Sequence, residues 1–208
     1  MGPAHTFAVA LTATATLALA GCGGDRQPAA PSPTSSSPTS PSPGPAASNP
    51  APPNAVAPAL GQPGDYTALL ISAADVGPDF TAYGAPTQNP NGVPGVGLSF
   101  NTADTSRVIV DGVTVFADPA AAAQAIAGHP FPSVDQPAPQ PFPVGQQGEI
   151  ATGTSPEKQN AVTEVLFAEG RATVNLIFKT AAGSPTPPDF VLDIARKQDA
   201  AVKNGLPS

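Results

Sequence analysis

Ala161-Val162-Thr163-Glu164-Val165-Leu166-Phe167-Ala168-Glu169-Gly170-Arg171-Ala172-Thr173-Val174-Asn175-Leu176-Ile177-Phe178-Lys179 is the stretch on which the fold turns. Val162 to Ala168 and Arg171 to Lys179 read as the two arms of a β-hairpin joined at Glu169-Gly170. In the second arm Ala172, Val174, Leu176 and Phe178 share one face, while Arg171, Thr173, Asn175 and Lys179 share the other. That period of two marks a sheet with one covered side. Ile177 stands on the otherwise polar face. Either that face is also partly covered, or Ile177 supports contact with a partner.

Working outward, Val96 to Asn101 and Arg107 to Ala117 read as extended runs, with Asp111-Gly112 marking a bulge or turn. Asp118 as cap, Pro119 in the first turn, Ala120 to Ala127 and then Gly128 with Pro130 spell a helix. Residues 129–147 hold six prolines and read as a loop, followed by a short strand at Gly148 to Gly153. A second helix starts near Thr186-Pro187-Pro188-Asp189. Its apolar stripe is Phe190, Val191, Ile194, Ala195 and Val202, and Gly205-Leu206-Pro207 ends it. Nearer the start, Ser72 with Asp75 resembles a capping box, and Leu69 to Val76 is open to helix or hairpin. The order of elements predicts an α+β domain: an antiparallel sheet of about five strands with two longer helices packed on one face.

The rest of the 208 residues is of another kind. Phe7 to Ala20 is almost wholly apolar or small. It is shorter than the roughly 20 residues that span a hydrocarbon core, and suits a secretory signal. Its ending, Leu19-Ala20-Gly21-Cys22, resembles the bacterial lipoprotein signal (lipobox). That resemblance implies cleavage before Cys22, a diacylglycerol on its thiol and a further acyl chain such as palmitate on its new amine. One acyl chain holds a protein to a bilayer only marginally, whereas two or more anchor it. From Gly23 to Pro63, 12 of 41 residues are proline, and most others are Ala, Ser, Thr or Gly. Such a segment has no apolar face to bury and stays extended and solvated. The organisation read from the chain is therefore residues 1–21 as signal peptide, 22–64 as a disordered Pro-rich stalk, and 65–208 as one extracytoplasmic domain. The expected address is the outer side of the cell membrane, held through Cys22.

Composition excludes several chemistries. Fifteen acidic against eight basic residues, a net charge of -7, argue against a nucleic-acid partner. One cysteine and two histidines cannot close a four-ligand structural zinc site, and no motif calls for a metal or cofactor. Once the signal is removed His129 is the only histidine, and a partly exposed structural role is favoured over that of a catalytic base. A hydrolase would need a serine and an acid against it. Ser99, in Gly97-Leu98-Ser99-Phe100-Asn101, lacks the second glycine of a nucleophile elbow. Gly92 to Gly97 reads as a flexible loop rather than a phosphate cradle. Asp104, Asp111, Asp118, Glu149, Glu164 and Glu169 read as solvated surface charge, with an acid–base pair or weak divalent-cation binding as alternatives. Phe80, Phe131, Phe142, Tyr66 and Tyr83 lie in or near loops, where an aromatic plugs the core edge or lines a ligand groove.

Leu69-Leu70-Ile71-Ser72-Ala73-Ala74-Asp75-Val76-Gly77, Val165-Leu166-Phe167-Ala168-Glu169-Gly170-Arg171 and Ala195-Arg196-Lys197-Gln198 resemble small actinobacterial, especially mycobacterial, lipoproteins. Some of these are distantly similar to the extracellular sensor domain of receptor Ser/Thr kinases. The resemblance implies a non-enzymatic binding or sensor-like domain, with an envelope protein or lipid as the class of partner. Those sensors carry disulfides that a one-cysteine chain lacks, so no ligand carries over, and Cys22 is the one functional residue assigned. A carrier of lipid or another apolar envelope molecule is the alternative, and it requires an apolar cavity of roughly 300 Å³ or more.

Overall fold

Hydrogen bonding between the two arms of the hairpin sets the centre of the sheet. In the computed structural model, which describes residues 61–206, β7 (Asn160–Glu169) pairs antiparallel with β8 (Ala172–Ala181), Phe167 opposite Val174 and Val165 opposite Leu176. Gly170, at φ 55°, makes the tight turn between them. The signal segment, Cys22 and most of the stalk fall outside the described residues.

β3 (Gly95–Thr102) and β4 (Val108–Val115) extend the sheet beyond β8, and β6 (Gln146–Thr154) extends it beyond β7. These are the five long strands that the sequence predicts. Three short ones complete an eight-stranded antiparallel sheet: β1 (Phe80–Ala82), β2 (Thr87–Gln88) and β5 (Gln140–Pro141). At two or three residues each they carry no readable alternation, which is why the predicted count falls short. Asp111-Gly112 is neither bulge nor turn: β4 keeps unbroken register with β8 through both residues. Central pairing on two sides outweighs the local turn preference of that dipeptide. The Gly92–Gly97 stretch is likewise strand from Gly95 on. A Cβ on Gly95 would lie 2.1 Å from the Val113 carbonyl oxygen, so only glycine permits this approach.

The helices divide between the two faces, which corrects the expectation of one covered side. α3 (Pro188–Gly205) lays Val191, Ile194, Ala195 and Val202 on the face that carries Val165, Phe167, Val174, Leu176 and Phe178. α2 (Pro119–Ile126) packs Ala121, Ala122 and Ile126 with Phe131 and Val134 on the opposite face, against Val162, Leu166 and Ala168. Ile177 belongs to this second cluster, so its place on the polar side has a packing reason. The cause is legible in β7, whose Ala161 to Ala168 are all buried: a strand without alternation is covered on both sides. Caps hold the helix starts. Asp118 accepts from the Ala121 N–H at 2.8 Å. Ser72 and Asp75 close a reciprocal capping box on the four-residue α1 (Ala73–Val76), which follows a 3-10 turn at Thr67–Leu69.

From the end of that turn to α1, the strip Leu69 to Ile71 is buried against the α3-face core at Leu69 and Ile71, and among the described residues it has no strand partner. Gln198 of α3 supplies one: its side-chain amide donates to the Leu69 carbonyl at 2.7 Å and accepts from the Ile71 N–H at 3.0 Å. Farther back, the Gly61 N–H donates to the Val115 carbonyl at 2.9 Å, and Gly64 is held through Asn89. The chain thus joins the domain at the Val115 end of β4.

Candidate functional site

At the opposite end of β4 the sheet opens into a cleft of about 410 Å³. Its apolar floor is built from three strands and a helix. Phe80 comes from β1, Ile109 from β4, Phe178 from β8 and Phe190 from the first turn of α3. Phe190 stacks on Phe80 with centroids 6.0 Å apart and meets Phe178 edge-on at 6.3 Å, arrangements that the aromatic quadrupole favours. Pro185 and Pro187 form the outer wall, and Thr180 steadies that loop by donating to the Ser184 carbonyl at 2.6 Å.

The rim is polar and cationic. The β3–β4 turn places it there: the Asp104 carboxylate accepts from the Thr102 hydroxyl at 2.7 Å, the Ser106 N–H at 3.1 Å and the Ser106 hydroxyl at 2.9 Å. These bonds hold the Asp104 carboxyl down at about 2. The next residue, Arg107, leans over the Phe80 ring at 4.9 Å and pairs with Asp79 at 3.1 Å. Lys179 follows Phe178 at the edge of the cleft, but its place opposite Val108 and Val162 turns its side chain to the other face of the sheet. Sequence reading assigned Phe178 and Phe190 to the core and Lys179 to a polar face. It did not foresee that strand ends, a turn and a helix start would enclose a space together.

The sequence candidates fall elsewhere. His129 and Glu164 do meet, with imidazole Nε2 3.5 Å from Oε1 of a carboxylate that is fully buried. Glu164 also accepts from the Asn175 side chain at 2.9 Å and the Ser133 N–H at 3.1 Å. Burial pushes the Glu164 carboxyl up, but the bonds from His129, Asn175 and Ser133 and the imidazole charge together hold it below the ordinary carboxylate value. What Ser133 brings to this centre is its main-chain N–H. Ser99 sits in β3 opposite Val110, on another part of the sheet. Glu169 approaches Asp199, and Lys203 bridges them at 3.6 Å and 2.6 Å. Burial first, and then the neighbouring Asp199, push Glu169 up. Glu149 lies in β6 and Asp118 caps α2. Among the described residues no three His, Cys, Asp or Glu side chains are grouped to hold a metal. Of the loop aromatics, Phe131 is wholly buried and plugs the core, whereas Tyr83 is exposed.

Asp111 corrects the surface-charge reading, as Glu164 does. It is fully buried near Ile71, and among the described residues neither carboxylate oxygen has a hydrogen-bond partner. Burial drives its carboxyl well above the usual range, against a weaker opposing pull from the Ile71 N–H. The folded state therefore holds a proton that the unfolded chain has lost. Stability falls as pH climbs from about 3.9 through the folded value. Asp111→Asn removes that dependence. Chemical unfolding followed from pH 4 to 8 should show the variant's advantage growing with pH, to about 1–3 kcal/mol at neutrality. A gap independent of pH would contradict the protonated core carboxyl.

No protein-family model matches the chain, and no curated protein matches it. Among solved structures, it is similar to the extracellular domain of PknH, a Ser/Thr kinase, from Mycobacterium tuberculosis. The TM-score is 0.52 at 12% identity, over 69% of this chain and 98% of that one. At this identity the likeness is one of fold, and it agrees with the distant resemblance to kinase sensor domains drawn from the sequence.

Proposed function

We propose that the protein is an extracytoplasmic lipoprotein, anchored through Cys22, whose α+β domain is a non-enzymatic binding or sensor-like module. The observation that carries this reading is the cleft floored by Phe80, Phe178 and Phe190. At about 410 Å³ it falls within the size range of small-molecule sites, with an apolar floor and a few polar groups on its rim. The lipobox and stalk supply the address, and the shared fold with an extracellular domain is in keeping with it. No helix among the described residues is long and apolar enough to cross a membrane. The cleft lies at the end of β4 away from the Val115–Gly61 junction, roughly 25 Å along the strand.

Carriage of an apolar envelope molecule is the second reading, and the same cleft supports it in a restricted form. The sheet–α3 interface itself is packed with Leu69, Leu176, Ile194 and Val202, all at most 1% exposed, so cargo is held at its end and not within it. Native mass spectrometry of the protein gently extracted from its own envelope tests both halves of the proposal. The expected species lacks residues 1–21, carries acyl mass on Cys22 and retains a small molecule. A chain keeping residues 1–21 would remove the anchor, and a consistently empty domain would remove the binding role.

A further inference from the structure

We infer that the cleft takes a small uncharged aromatic compound, its flat body on the three phenylalanine rings and a neutral oxygen at the hydroxyl-bearing rim. This rests on the cleft being the binding site. The argument starts from charge. Among the described residues no carboxylate lines the cleft. Lys179 borders it, but strand parity gives that side chain to the other face of the sheet. Arg107 is left, and its guanidinium lies 4.9 Å from the centre of the Phe80 ring and 3.1 Å from the Asp79 carboxylate. The wall therefore carries a closed ion pair and no free charge. Both members are exposed, so the pair adds little stability, but it filters ligands. An anion approaching Arg107 meets Asp79 beside it, and a cation meets Arg107 over a ring that the guanidinium already occupies. A charged head drawn onto the apolar floor would shed water without gaining a partner. A neutral oxygen sheds less, and the hydroxyls of Ser184 and Thr186 on the rim can donate to it or accept from it.

The floor sets the shape of the body. Phe80 and Phe190 lie nearly parallel, at 19°, and Phe178 stands across Phe190 at 77°. Such a floor combines stacked and edge-on contacts, so a further aromatic ring continues a packing that a saturated ring cannot. The added attraction corresponds to about two- to tenfold in affinity over a saturated ring of the same size. At about 30 Å³ per non-hydrogen atom, as in liquid water, the cleft holds roughly 14 such atoms. Two fused rings with a short polar arm fit, whereas a four-ring sterol leaves part of its body in solvent and a two-chain phospholipid does not enter.

The test uses the full chain carrying Cys22→Ser, so that it bears no acyl chain of its own. Naphthylmethanol, naphthoate and naphthylmethylammonium, alike in size and differing in charge, are the probes in calorimetric titrations. The alcohol should bind about fivefold or more tightly than either ion, and added salt should leave its affinity unchanged. Asp79→Asn, at an exposed position, frees Arg107 and should raise naphthoate relative to the alcohol about fivefold. The fully saturated counterpart of the alcohol should bind about two- to tenfold more weakly, and Phe190→Leu, which keeps an apolar side chain, should erase that difference. Either ion matching the alcohol on the unaltered chain, or a naphthoate affinity indifferent to Asp79, would overturn the assignment of charge. Equal affinity for the aromatic and saturated alcohols would overturn the ring, and a sterol binding more tightly than naphthylmethanol would overturn the size. If none of the probes binds while envelope-extracted protein still carries a small molecule, the ligand class is wrong and the binding role stands.

Discussion

Replacing Gln198 with alanine is expected to lower the domain's stability by about 3–5 kcal/mol, a large part of the margin of a typical domain. The side chain is completely buried, and both ends of its amide are used: Nε2 donates to the Leu69 carbonyl and Oε1 accepts from the Ile71 N–H. Alanine strands these two main-chain groups away from water, at about 1–3 kcal/mol each, and leaves a void beside Ile194 and Val202. Gln198→Leu refills the volume but not the hydrogen bonds, so it should recover only the cavity part of the loss. Urea unfolding with an unchanged slope gives the measurement. A loss below about 1 kcal/mol for both variants would mean that the strip is not held by this amide. The consequence for function is positional. Leu69 to Ile71 covers the sheet between the linker junction and α1, so slackening it exposes Asp111 to water while leaving the cleft at the other end of β4 intact.

The sequence spoke clearly where periodicity was long. The β7–β8 hairpin, β3, β4, α2 and α3 all lie within a few residues of where alternation, caps and terminators put them. What it could not express was the third dimension. Ile177 already signalled a second covered face, but whether α2 or a partner supplied the cover depends on a crossing that no local pattern encodes. The same holds for the two buried carboxylates. In sequence Asp111 and Glu164 look like the other acidic residues, and only strand parity with Leu176 and Ile177 turns them inward. The cleft was the least legible feature. Its walls come from positions 80, 107, 109, 178 and 190, each with an adequate local explanation, and it exists because α3 begins where β4 and β8 end.

Glu164→Ala should cost about 3–5 kcal/mol, as expected when one member of a buried charged cluster is removed and its partners are left behind. The carboxylate is wholly buried on the α2 face, accepts hydrogen bonds from Asn175 of β8 and the Ser133 N–H, and lies 3.5 Å from the His129 imidazole. The last two belong to the loop that carries Phe131 and Val134 onto the sheet. Glu164 thus fastens the lid of the second core, and alanine should make residues 129–135 the first segment cut by a protease. The pH dependence has a definite sign. Because the folded carboxyl titrates below the unfolded one, its contribution is complete above about pH 4.3 and is lost as pH falls through the folded value. The stability gap between wild type and Glu164→Ala should accordingly be widest near neutrality and narrow in acid, the opposite of the trend that Asp111 produces. Glu164→Gln, which keeps an acceptor for Ser133, should lose less and be flat with pH. A gap that failed to narrow as pH falls below about 4 would show that the folded carboxyl is not held in its charged form.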